Sequence, residues 1–250
     1  MFRNSEESHQ HSLETLDLLY AHSSFMESIA TVADLGCGSG LDIEWWATRT
    51  VDDGSERPLN IKCQGIDLLP ELPVARKHTN MTYQCTNFED VVHPPAGGFD
   101  ILWSHDSFQY CVNPLETLKK WRDITSNGAM LAIILPQTTN IHLRNLQFTQ
   151  EHKVYYHHTL VNLIHMLAVN GWDCRAGFFK KSAADPWIHA VVYKSETPPF
   201  DPRNTTWYDL VDAKLLPESA DRSIMAKGYL DQNDLVLPWL NKSLQWLGNH

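Results

Sequence analysis

Residues 31 to 40, Thr-Val-Ala-Asp-Leu-Gly-Cys-Gly-Ser-Gly, constrain this chain more than any other stretch. Val32, Ala33 and Leu35 read as a short buried strand, and the alternating glycines that follow can only be a tight turn. Gly36, Gly38 and Gly40 allow positive φ and let a ligand approach the backbone closely. The next residues, Leu-Asp-Ile-Glu-Trp-Trp-Ala, have helical spacing, with Trp45 and Trp46 expected in the core. Strand, glycine turn and helix in that order predict an α/β fold. In such a sheet, ligands bind beyond the carboxyl ends of the strands, where the helix amino end turns its free N–H groups. Asp34 stands at that end of the first strand.

The spacing narrows the ligand. A dinucleotide fingerprint has its third glycine three residues after the second, where this chain has Leu41, so the pattern is G-x-G-x-G. With Asp34 two residues ahead of it, the stretch resembles motif I of the class I S-adenosylmethionine-dependent methyltransferases. A nicotinamide enzyme and a glycine turn without a nucleoside ligand are the competing readings.

Later landmarks follow the same order as in that family. Ile61 to Asp67 is a second strand ending in a carboxylate, as expected of a ribose-binding acid. Met81 to Cys85 is a third strand, with Asn87 where the family usually carries an aspartate that bonds adenine; an amide can accept and donate there. Phe99-Asp100-Ile101-Leu102-Trp103-Ser104-His105-Asp106 resembles the fourth strand and motif IV. Asn113 and Pro114 open a helix that Asn127-Gly128 would close, and Ala129 to Leu135 is a fifth strand. Leu160 to Ala168 is an apolar helix stopped by Asn170-Gly171, its other face (His158, Asn162, His165) expected in solvent. Trp172 to Phe179 and Trp187 to Lys194 complete a Rossmann-like sheet of seven mostly parallel strands with helices on both faces, the last hairpin antiparallel as the resemblance implies.

The resemblance implies a site residue by residue. Asp34, Gly36, Gly38 and Gly40 would frame the methionine end of S-adenosylmethionine, Asp67 the ribose, and Asn87 and Phe88 the adenine, with Cys37 and Leu68 beside them. Ser104 would offer backbone contacts near the reacting methyl. His105 and Asp106 are the candidate catalytic residues, since a base must reach the acceptor's proton; Gln109 and Tyr110 follow one turn on.

Two segments flank this domain of residues 31 to 195, and a third is inserted within it. Residues 1 to 30 read as an amphipathic helical lid offering His11, Tyr20 and His22. Residues 137 to 156, with His142, Arg144, His152, Tyr155 and Tyr156, fall where the family commonly builds its substrate pocket. After a Thr-Pro-Pro-Phe-Asp-Pro linker, residues 196 to 250 form an extension of unknown role that could cap the site, pack on the sheet or join two copies.

Charge and composition point to a small-molecule acceptor. Twenty basic against thirty acidic residues give a net charge of −10, which disfavours a phosphate backbone. The motif IV position also lacks the signatures of DNA-methylating enzymes. No apolar run is long enough for a membrane span and the first residues are polar, so a cytoplasmic protein is expected. The five cysteines form no C-x-x-C pair and read as reduced, buried thiols. Thirteen histidines include no H-E-x-x-H, so no metal is expected. A protein acceptor is the second reading. A non-catalytic module that binds S-adenosylmethionine as sensor or scaffold is the rival of another class.

Overall fold

Seven strands order themselves β3-β2-β1-β4-β5-β7-β6 in a computed structural model that describes residues 5–21, 23–51, 56–72, 77–90, 93–137, 154–181 and 187–237. The strands are β1 (Thr31–Leu35), β2 (Lys62–Asp67), β3 (Met81–Cys85), β4 (Phe99–His105), β5 (Thr125–Pro136), β6 (Trp172–Lys181) and β7 (Trp187–Lys194). The first five run parallel, whereas β7 is antiparallel to both β5 and β6. Chain order reverses between β1 and β4, which opens a crevice at their carboxyl ends.

The two faces are filled by different parts of the chain. Alternate residues of the strands, including Val32, Ile101, Trp103, Ala132 and Val191, meet Leu16 and Leu19 of α1 (Ser5–Tyr20), Met26 of α2 (Ser23–Ser28), and Ile43 and Trp46 of α3 (Leu41–Ala47). Trp46 is fully buried and Trp45 nearly so, as their spacing predicted. The opposite face, with Ala33, Leu102, Leu131 and Ile133, is covered by α4 (Pro114–Asp123) and α5 (Leu160–Val169). Asn113 caps α4 by accepting from the Glu116 N–H, and Thr159 does the same for α5 at Asn162.

Helix α4 stops four residues before Asn127-Gly128, and β5 already begins at Thr125. Here the polar run is bound into the sheet: Thr125 pairs with Phe99, and Ser126 Oγ donates to Asp100 Oδ1 at 3.0 Å. Asp100 also accepts from the Ala30 and Thr31 N–H groups, so it ties three strands together at the end away from the crevice.

Residues 195 to 237 lie against the α5 face. Helices α6 (Trp207–Asp212) and α7 (Glu218–Lys227) place Leu210, Leu216, Ala220 and Ile224 in the same apolar cluster as Leu163 and Leu167. Arg122 at the end of α4 fastens the segment's start, donating to Ser195 O at 2.8 Å and Thr197 O at 2.9 Å. Arg122→Ala leaves those carbonyls without their charged donor, and a loss of about 2–3 kcal/mol is expected. Urea denaturation measures it; an unmoved midpoint would mean that the leucines alone hold the segment. No described helix is long and apolar enough to cross a membrane.

Candidate active site

The glycine turn is fixed from below by β2. Gly36 N–H and Cys37 N–H both donate to Ile66 O, at 2.8 and 3.0 Å. Gly36, Gly38 and Gly40 have φ of 82°, 51° and 85°, the left-handed conformation that only glycine adopts cheaply. Their surroundings differ. A Cβ on Gly36 would lie 2.4 Å from Ser107 Cβ, whereas one on Gly38 would meet nothing within 4 Å. Gly36 is therefore required by packing, and Gly38 faces the open crevice.

Asp67, at the end of β2, completes this wall. Its Oδ2 accepts from Gly38 N–H at 2.8 Å and its Oδ1 from Leu69 N–H at 3.1 Å. Between those contacts Leu68 stands 70% exposed, an apolar face at the mouth of the crevice. Cys37 is buried, its thiol pushed up by burial and by the Asp34 and Asp67 carboxylates, and so is no nucleophile. Asn87 is half-buried and accepts from Glu89 N–H through Oδ1 at 3.0 Å. Half-buried Phe88 leans on Trp121, with its Cδ1 3.5 Å from where a Gly36 Cβ would be.

Two buried carboxylates lie behind the turn with opposite fates. Asp34 has an Oδ2 with no hydrogen-bond partner. Burial, then the charges of Asp42 and Asp67, push its carboxyl well above the usual range, against a bond from Ile43 N–H. Asp42, in the first turn of α3, is equally buried, yet its donors overcome the cost of burial and hold it well below that range. Oδ2 accepts from Trp103 Nε1 at 2.8 Å and His105 Nδ1 at 2.9 Å. Oδ1 accepts from His9 Nδ1 and from Ser12 Oγ, the latter at 2.7 Å. The Ser12 hydroxyl is also 2.8 Å from His9 O, so its one proton is shared.

The end of β4 presents the candidate catalytic pair. His105 is buried, its Nε2 has no partner, and its ring centroid is 5.7 Å from that of Trp187, on which His11 stacks at 4.4 Å. Asp106 has φ 51°, unusual for a residue with a side chain, and accepts from Gln109 Nε2 at 2.6 Å. Ser104 points to the other face, where it is fully buried and bonded to Ser107 Oγ at 2.8 Å; Ser107 Oγ in turn donates to Leu35 O at 2.6 Å.

Asp42, His9, Ser12 and Trp187 gather around the candidate base His105, and the motif reading singled out none of them for the site. A signal existed. His9 and Ser12 continue the Leu16 and Leu19 stripe of α1, and Asp42 shares a face with Trp45 and Trp46. Polar residues on an otherwise apolar helix face need a buried partner. Two other expectations are corrected. His158 is buried, not solvated, with its ring 5.2 Å from Phe108 and burial lowering its pKa to about 4. Cys85 is exposed, because β3 is the sheet's edge; the other four cysteines are buried. His22, and residues 138–153 with His142, Arg144 and His152, lie outside the described residues. Tyr155 and Tyr156 are exposed, and Tyr156 Oη donates to Val112 O at 3.2 Å beside the end of β4.

Residues 33–133 match the model of a methyltransferase domain family, a span that takes in the glycine turn, Asp67 and the end of β4. This match and the fold together support a class I S-adenosylmethionine-dependent methyltransferase. The chain is 28% identical over 127 residues to a ubiquinone biosynthesis O-methyltransferase of Xanthomonas axonopodis pv. citri, covering 48% of this chain and 49% of that protein. It thus spans about half the length of that curated relative. Two solved structures share its fold. One is a 1,6-didemethyltoxoflavin-N1-methyltransferase of Burkholderia thailandensis with bound S-adenosylhomocysteine (TM-score 0.52, 11% identity, 72% of this chain and 79% of that one). The other is the plantazolicin methyltransferase BpumL, also with S-adenosylhomocysteine (TM-score 0.54, 17% identity, 77% and 88%).

Proposed function

We propose that this methyltransferase moves a methyl group from S-adenosylmethionine to a small-molecule acceptor, with His105 as the base. The observation that carries the reading is the crevice wall at the ends of β1 and β2. An open backbone at Gly38, an Asp67 carboxylate with lone pairs to spare, an apolar face at Leu68 and an unpartnered Asp34 oxygen suit a cationic nucleoside. S-adenosylmethionine would supply a methyl group activated by its positive sulfur. Asp67 would hold ribose hydroxyls, Leu68 and Phe88 the base, with Asn87 at its edge, and Asp34 would face the charged methionine end. Much of the acceleration would come from holding two reactants in line in a dry crevice.

A small acceptor is supported by the acidic surface, net −10, and by the O-methyltransferase relative, which shares only half its length with this chain. Calorimetric titration with S-adenosylmethionine, S-adenosylhomocysteine and NADH tests the cofactor. Saturable binding of the first two alone is expected. Binding of neither, by folded protein, overturns the reading, and binding without any turnover leaves a sensor module in its place.

Asp34 adds a pH signature. Its raised pKa means that the free protein holds a proton there at pH values where an ordinary aspartate has lost it. A cation placed beside it favours the ionised form, so binding expels that proton and affinity rises with pH until Asp34 ionises unaided. Titrations in buffers of different ionisation enthalpy should show proton release on the acid side. Uptake, or none, would place the charged end elsewhere.

A further inference from the structure

Asp42 is surrounded by four donors and has a place for each. An ionised carboxylate only accepts, with about four lone-pair positions, and here His9 Nδ1 and Ser12 Oγ lie on one oxygen, Trp103 Nε1 and His105 Nδ1 on the other. His105 must therefore carry its proton on Nδ1 when neutral. Its other nitrogen, Nε2, is buried, lacks any partner and keeps a free lone pair. The ionisable groups facing this centre are His9 from α1, Asp34 from β1 and His105 from β4. His9 and Ser12 both come from α1, so the helix that covers this face also completes the carboxylate's shell.

We infer that Asp42 is the positioning residue of His105, fixing its Nδ1–H form so that Nε2 takes the proton of a hydroxyl acceptor. The inference rests on the methyl-transfer reading above. A neutral amine attacks with its own lone pair and can lose its extra proton to water afterwards. A hydroxyl keeps its proton through the attack and gains most from a base already in place. The acceptor oxygen's lone pair forms the new O–C bond while the C–S pair leaves on sulfur, and the hydroxyl proton goes to Nε2. The resulting imidazolium lies against the Asp42 carboxylate, and its proton passes to solvent once the ether product has left. Aromatic acceptors suit the neighbouring Trp187 and His11 rings.

Nitrogen-15 spectra of the full chain, with His105 assigned by loss of its signals in His105→Gln, decide the first half without any acceptor. Above neutral pH, protonated Nδ1 and bare Nε2 are expected, and Asp42→Asn should lose that preference. The Nε2–H form in the wild-type protein overturns the proposal whether or not Asp42→Asn folds. Catechol and 1,2-diaminobenzene, assayed for S-adenosylhomocysteine release, test the second half. Catechol turnover should fall roughly 100-fold in Asp42→Asn, with S-adenosylhomocysteine affinity held. Methylation of the diamine alone, at a rate that Asp42→Asn leaves intact, overturns it. Failure of the wild-type protein to bind S-adenosylhomocysteine would sink the methyl-transfer reading instead, and is seen separately by calorimetry.

Discussion

Asp67→Ala is expected to weaken S-adenosylhomocysteine binding by roughly two orders of magnitude or more. The carboxylate has two duties. It holds the Gly38 and Leu69 N–H groups, at 2.8 and 3.1 Å, which sets the shape of the turn. In the proposed complex its remaining lone pairs would accept from ribose hydroxyls, each such charge-assisted hydrogen bond being worth about 1.5–3 kcal/mol. Losing both ligand bonds gives the stated range, since about 1.4 kcal/mol is a factor of ten. The freed N–H groups turn to water, so the fold should survive. Calorimetry with S-adenosylhomocysteine reads the change, and unaltered affinity would remove Asp67 from the site.

Gly36→Ala should act on stability instead. Its φ of 82° costs a side chain about 1–2 kcal/mol. The added methyl would then press on Ser107 Cβ at 2.4 Å, and overpacking of this kind costs about 1–3 kcal/mol more. A total near 3 kcal/mol corresponds to a fall in Tm of about 6–12 °C for a chain of this size. Gly38→Ala is the matched comparison. It shares the positive φ, at about 1–2 kcal/mol or a fall of about 2–8 °C, but meets no atom, so it should melt above Gly36→Ala while losing cofactor affinity to a methyl in the open crevice. A reversed pattern would mean that the ligand lies over Gly36. Thermal melts with and without S-adenosylhomocysteine separate the two.

These predictions start from features that were readable as sequence. The glycine turn, Asp67 and the apolar strands were legible because each is a local pattern: a run of Val, Ile and Leu, closed by a turn residue or a carboxylate. The cap at Asn113 and Pro114 was legible for the same reason. What escaped depends on neighbours distant in sequence. Thr125 to Gly128 reads as a polar helix stop, yet Phe99 and Asp100 recruit it into β5. His158 reads as the solvated side of a helix, but the ring of Phe108 covers it. Asp42 matters only because α1 and β4 deliver four donors to one carboxylate, a meeting that no spacing within α3 could announce. His105 and Asp106 were both singled out, and the two have different surroundings. The first has a buried nitrogen without a partner and the second a hydrogen bond to Gln109, which is why the proposal gives the base's part to His105.

The short relay from Ser104 through Ser107 to the Leu35 carbonyl makes the loop after β1 and the loop after β4 one mechanical part. Gly36 closes the joint, because no atom can be slipped between it and Ser107. On the proposed reading one loop would border the cofactor and the other the acceptor, so strain placed on either by its own ligand would be borne by both. Any cooperation between the two substrates must then be mutual in size and sign. An affinity for one of them has meaning only when the occupancy of the other is stated.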